Sequence, residues 1–99
     1  MRPPGDHVRY LIQRNFGNID DEHLELRARR SKELTETEYT QIVWEHSHVV
    51  TSPDGAVRTF CIYRAPDEAI VREHADAMGG HQIEMIFEIG GDVKPSDFS

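Results

Sequence analysis

The side chains best suited to chemistry in this chain lie in two stretches, WEHSHVV (Trp44 to Val50) and FCIYRAPDEAIVREHA (Phe60 to Ala75). The first places His46 and His48 at alternate positions of a segment with strand character, and the second supplies Cys61, Tyr63 and His74. Two imidazoles and a thiolate in a partly desolvated space would suit a borderline-soft divalent metal ion. Imidazole binds zinc, copper, iron and nickel, so ligand type narrows the metal without fixing it. The spacing follows no zinc-finger pattern, and alternating histidines on a strand equally suit a plain surface or interface.

Each of the other groups has a structural reading beside the chemical one. A lone cysteine in a strand is a small buried hydrophobe unless a nearby cation or metal makes Cys61 a thiolate. His74 can be a buried neutral imidazole hydrogen-bonded to Ser47 or to a backbone carbonyl, because buried polar groups need partners. Tyr63 packs, with its hydroxyl free to support a neighbour. His7 and His23 are expected in solvent, one near the chain end and one in the first turn of a helix.

The elements that position these groups read from the amino end. RYLIQRNF (Arg9 to Phe16) alternates around Tyr10, Ile12 and Phe16 as a strand, ended by Gly17 and Asn18. Asp20 then caps a helix with acidic Asp21 and Glu22 at its positive end, running to about Leu34. Its inward stripe is Leu24, Ala28 and Ser31, with Leu34 or Leu26 alongside. Ile42 to Thr51 and Val57 to Arg64 form a hairpin around SPDGA, where Pro53 presets one dihedral and Gly55 takes a positive φ. A second helix begins at APDEAI with Pro66 in its first turn, and Gly79 and Gly80 stop it. IEMIFEIG alternates with Ile83, Met85, Phe87 and Ile89 on one side and Glu84 and Glu88 on the other.

The order β-α-β-β-α-β predicts an α+β fold, the ferredoxin-like sandwich, with a four-stranded antiparallel sheet and both helices on one face. One domain spans residues 1–99, with an ordered core of about 8–90 and mobile ends. If the turn sets Thr51 opposite Ala56, then His48 faces Thr59, His46 faces Cys61 and Trp44 faces Tyr63. One side of the hairpin then carries Trp44, His46, His48, Cys61 and Tyr63, and the other carries Glu45, Ser47, Val49, Phe60 and Ile62. The second set is the better floor for helices, which turns the first outward as an apolar patch and implies a homodimer enclosing a barrel-like space. His74 shares its helix stripe with Ile70 and Ala77 or Met78, on the side away from His46 and Cys61. One ion could join all three only if His74 sat at a sheet edge or came from the partner subunit.

A net charge of −7 disfavours nucleic acid or an anionic membrane as the main partner, because both repel such a surface. The single cysteine closes no internal disulfide, and no stretch approaches the roughly 20 apolar residues of a membrane span, so a soluble cytoplasmic protein is expected.

The segment from Trp44 to Ala75 resembles the small DUF4242 proteins, a nickel-binding family described from Streptomyces, whose core reads approximately W-x-H-S-x, Y-C-x-Y-x-A-P and a helix ending R-E-H-A. The matching residues are Trp44, His46, Ser47, Cys61, Tyr63, Ala65, Pro66, Glu73, His74 and Ala75, and the likeness extends over roughly Arg9 to Ile89. The resemblance implies a ferredoxin-like fold, a barrel-type dimer and binding of Ni(II) or another divalent transition metal. This chain departs from the family at His48, where an aromatic residue is common, and at Gly80 and His81, near which a Phe-Pro pair is common. His48 and His81 are thus extra ligands or local variants.

Three functions compete. The first is a metal-binding protein for storage, buffering or sensing of nickel, with His46, His48, Cys61 and His74 as candidate ligands. The second is a small dimeric barrel enzyme of cyclase, isomerase or monooxygenase type, acting on a small organic molecule. There His46 or His74 would be a general base and Tyr63 a proton donor. The third is a dimerising module without chemistry.

Overall fold

The computed structural model describes residues 7–98, in the order β1 (Val8–Asn15), α1 (Asp21–Thr37), β2 (Val43–Thr51), β3 (Val57–Ala65), α2 (Glu68–Met78), β4 (Gln82–Glu88) and a short 3-10 turn at Pro95–Phe98. The four strands form one antiparallel sheet in the order β2-β3-β1-β4, and the helices cover one face. This is the ferredoxin-like sandwich expected from the element order. No helix among the described residues is long and apolar enough to cross a membrane.

β1 is the centre of the sandwich. Its burial alternates without a break, so Val8, Tyr10, Ile12 and Arg14 lie under the helices while Arg9, Leu11, Gln13 and Asn15 face the other way. Tyr63 and Cys61 of β3 lie opposite Tyr10 and Ile12, and Val71 of α2 closes the cluster. A second cluster joins Phe16, Leu34 and Met78.

Local chemistry sets the helix ends. Asp20 accepts the His23 N–H at 2.8 Å to start α1, and Tyr39 N–H donates to Leu34 O at 2.7 Å beyond its end. On the inward stripe Ser31 and Leu34 are fully buried, whereas Leu26 is 58% exposed, which resolves the choice between the two leucines. In α2 the cap is Asp67, whose carboxylate accepts the Ile70 N–H at 3.0 Å. Pro66 therefore precedes the cap rather than occupying the first turn, because the extended backbone of Asp67 delays the helix to Glu68. Beyond β4, Ile89 N–H donates to Arg9 O at 2.8 Å, and Asp92 pairs with Arg9 at 2.8 Å.

The hairpin register differs from the expected one in two compensating steps. Gly55 N–H donates to Ser52 O at 2.8 Å, and Gly55 has φ +85°, as a type I turn followed by a glycine bulge requires. Ser52 is itself a ladder residue that pairs with Ala56, so Thr51 lies opposite Val57 and not Ala56. This places His48 opposite Phe60, Ser47 opposite Cys61 and His46 opposite Ile62. Glu45 then bulges out of the ladder, and Trp44 returns to Tyr63, where it was expected. β4 has the same device at Glu84: Ile83 and Ile86 turn inward while Met85 and Phe87 turn outward, in place of four apolar residues on one side.

Truncating Leu34 to Ala is expected to cost about 3 kcal/mol by removing a fully buried side chain, and Leu26→Ala under about 0.5 kcal/mol. Urea unfolding of both variants checks the orientation of α1.

Candidate functional site

The sheet divides the candidate residues into two groups. His46 and His48 lie on the open face of edge strand β2, their ring centroids 5.3 Å apart. Cys61, Tyr63 and His74 lie on the opposite side, beneath the helices, and all are buried. The expectation that Cys61 shares a face with His46 is thus corrected, because the turn register moves β2 by one residue and a one-residue step exchanges faces. His74 does face away from His46, as its helix stripe predicts, but Cys61 is on its side.

The open face has a definite pattern. One cross-strand row runs Phe87, Leu11, Ile62, His46, and the next runs Met85, Gln13, Phe60, His48. The first row is apolar up to its last member, the second holds Gln13 between Met85 and Phe60, and each ends in an imidazole at the edge. Met85 and Phe87 are each 46% exposed. Ion pairs frame the rows at both ends. Arg58 binds Glu84 at 2.7 Å and Asp54 at 3.0 Å, while Glu45 accepts from Arg9 at 3.0 Å and from Arg64 at 2.7 Å. These bonds hold the Glu84 and Glu45 carboxyls below the usual carboxylate range. Among the described residues, no three His, Cys, Asp or Glu side chains cluster to hold a metal ion.

On the helix side, polar groups form a buried web. Tyr63 Oη lies 2.8 Å from Ser31 Oγ, and His74 Nε2 lies 3.3 Å from both Ser31 Oγ and Ser31 O. The carbonyl can only accept, so His74 carries its proton on Nε2 and leaves Nδ1 bare, without a partner among the described residues. A backbone carbonyl is the kind of partner anticipated for His74, although the hydroxyl beside it belongs to Ser31 and not Ser47. Tyr39 and Tyr63 meet its ring edge to face. Burial pushes the His74 imidazole down to about 4, against the Ser31 hydrogen bond and with a smaller push from the Arg14 charge. Burial also raises the Tyr63 hydroxyl, which disfavours its ionisation. Cys61 Sγ lies 3.4 Å from Thr59 Oγ1, the only thiol contact at hydrogen-bond range among the described residues.

Arg14 and His81 complete the web, and neither role was anticipated. Arg14 Nη1 donates to His81 Nε2 at 2.7 Å, while His81 Nδ1–H donates to Gly79 O at 3.0 Å. Burial first, and then the Arg14 charge, lowers the His81 pKa. The signal for Arg14 was its parity: it falls between Ile12 and Phe16 on the inward register of β1.

His74 and His81 both titrate lower in the fold than when unfolded, so the unfolded chain binds more protons below pH 6.5. Stability should therefore be complete above about pH 6.5 and fall as pH drops toward 4, by an order of 3 kcal/mol from His74. Denaturant titrations between pH 7 and 4.5, above the range of the paired carboxylates, should give a flatter slope for His74→Gln than for wild type. An unchanged slope would assign the effect elsewhere.

Of the comparisons with known proteins, the family match bears on function. No curated protein matches the chain. Among solved structures, the de novo designed protein Ferredog-Diesel is 22% identical, with a TM-score of 0.47 over 88% of this chain and 89% of that one. Residues 10–89 match the family described as nickel responsive protein SCO4226-like, a span that includes His46, His48, Cys61, His74 and both helices. That description carries no DUF4242 label, but it covers the same long segment from which the resemblance was drawn. The chain belongs to the SCO4226-like family of nickel responsive proteins.

Proposed function

We propose that the protein is a nickel-binding buffer or sensor whose metal is held by His46 and His48 on the open face of the sheet, at an interface between two copies. The observation that carries this reading is the imidazole pair itself: two histidines on one face of an edge strand, 5.3 Å apart between ring centroids, in a chain of a nickel responsive family. Nitrogen donors of this kind suit Ni(II), and the pair fits it as half of a coordination shell. Water or donors from a second copy would complete the shell. Cys61 and His74 do not join it, because the sheet stands between them and His46.

The second copy is argued from the surface beside the histidines. Leu11, Phe60, Ile62, Met85 and Phe87 form an apolar field, and patches of this kind mark interfaces. The charges that frame it are already paired within the chain, so a second identical face brings no unpaired like charges against them. Such a homodimer would be the barrel-type association that the sequence suggests. The buried thiol and acidic surface are those of a protein suited to the cytoplasm.

Equilibrium dialysis of tag-free protein against nickel tests the ligand assignment. The double variant His46→Ala, His48→Ala should lose affinity by about tenfold or more, since loss of a group merely supporting a ligand can cost that much. Cys61→Ala should bind as wild type does, and binding should weaken as pH falls because imidazole must be unprotonated to coordinate. Unchanged affinity in the double variant would remove the site from β2. Sedimentation of Phe87→Lys should show a shift toward monomer; a dimer as tight as wild type would place the interface elsewhere.

A further inference from the structure

Arg14 is 1% exposed, and its guanidinium is only partly satisfied. Nη1 is taken by His81, and the carbon of the guanidinium sits 5.2 Å from the Tyr63 ring centroid in a cation–π contact. Nε and Nη2 have no hydrogen-bond partner among the described residues, and no carboxylate there pairs with Arg14. Leaving a buried cation without a counter-charge is costly, and Arg remains protonated where other groups would neutralise.

Arg14 also lines a cavity of about 220 Å³ between α1 and the β2–β3 half of the sheet. Phe16, Leu24, Trp44, Val49 and Met78 provide an apolar wall, and no acidic residue lines it. Val49 is exposed, so the cavity reaches solvent between α1 and β2. A cavity of roughly 150 Å³ already accepts benzene, and this one has room for a ring or branched chain bearing one small polar group. Inorganic anions would find the donors of Arg14 but would leave the apolar wall unused.

We propose that this cavity is a binding site for a small monocarboxylate with an apolar body, an aryl or branched alkyl acid, whose carboxylate is the counter-charge that Arg14 lacks within the chain. The acid enters past Val49 with its apolar end against Trp44 and Met78. The site is separated by the sheet from His46 and His48, and it does not depend on nickel.

Trp44 is the single tryptophan of the chain and lies in the cavity wall, so its emission reports occupancy directly. Metal-free protein is titrated with benzoate, phenylacetate and isovalerate, and in parallel with benzamide and inorganic phosphate. Saturable change with at least one carboxylate is expected, with benzamide weaker by roughly tenfold or more because it lacks the charge. Arg14→Gln should lose the same factor. Ala28→Leu, which keeps Arg14 but fills the cavity from α1, should also weaken binding, and it carries the test if Arg14→Gln does not fold. Equal affinity for benzoate and benzamide, phosphate competing as well as the carboxylates, full binding by Ala28→Leu, or no saturable response to any of the three acids at millimolar concentration would each overturn the proposal. Loss of nickel binding in the His46 and His48 variant with carboxylate binding intact would leave this site standing alone.

Discussion

The organisation of this protein depends on the two-residue period of β2 and on the single place where it is broken. Every side chain of a strand is committed to one face by its parity, so whatever sets the parity decides which groups can meet. Here the turn at Ser52–Gly55 fixes it at one end of β2, and the bulge at Glu45 resets it near the other. The reset lets Trp44 and Ser47 face the helices together, joined by the Trp44 Nε1–H donating to Ser47 Oγ at 2.9 Å, while His46 and His48 face away. Without the bulge, Trp44 would leave Tyr63 and join the histidines.

The architecture was legible because several independent signals agreed: the alternation of β1, the acidic cap Asp20, the Gly79–Gly80 stop and the Pro53–Gly55 turn. What could not be read was the pairing of β2. The side with Val49, Phe60 and Ile62 reads as the better floor for the helices, yet the structure buries Cys61 and Tyr63 of the other side there, with Trp44 packed against them. A pattern-based reading also treats a strand as continuous, and at both Glu45 and Glu84 the chain is not. The candidate histidines were therefore identified correctly as neighbours of one another, while Cys61 was assigned to the wrong company. Arg14 was passed over for a related reason. A cation at an inward position contradicts the usual rule for cores, and such contradictions are where function tends to concentrate.

The helix side and the open side use polar groups in different ways. Beneath the helices, Ser31, Tyr63, His74, His81 and Arg14 are linked through short contacts in which the imidazoles are held neutral by burial and by the nearby guanidinium. Low effective dielectric makes each satisfied bond there stronger and each missing one dearer. On the open face, the charged groups are arranged as closed pairs around an apolar field, and the two imidazoles stand at its edge. Chemistry on one side is separated from chemistry on the other by the thickness of a single sheet.

The two bulges bear on how copies of the chain can meet. β2 and β4 are the outer strands, and an outer strand offers unpaired backbone groups on which another chain can template. Both are kinked at a glutamate that is gripped by arginine from within the sheet, Glu45 by Arg9 and Arg64 and Glu84 by Arg58. A rim interrupted in this way gives a straight incoming strand no continuous ladder to follow, and it places a carboxylate at the interruption. Open-ended, fibre-like growth through strand addition is thereby hindered at both margins.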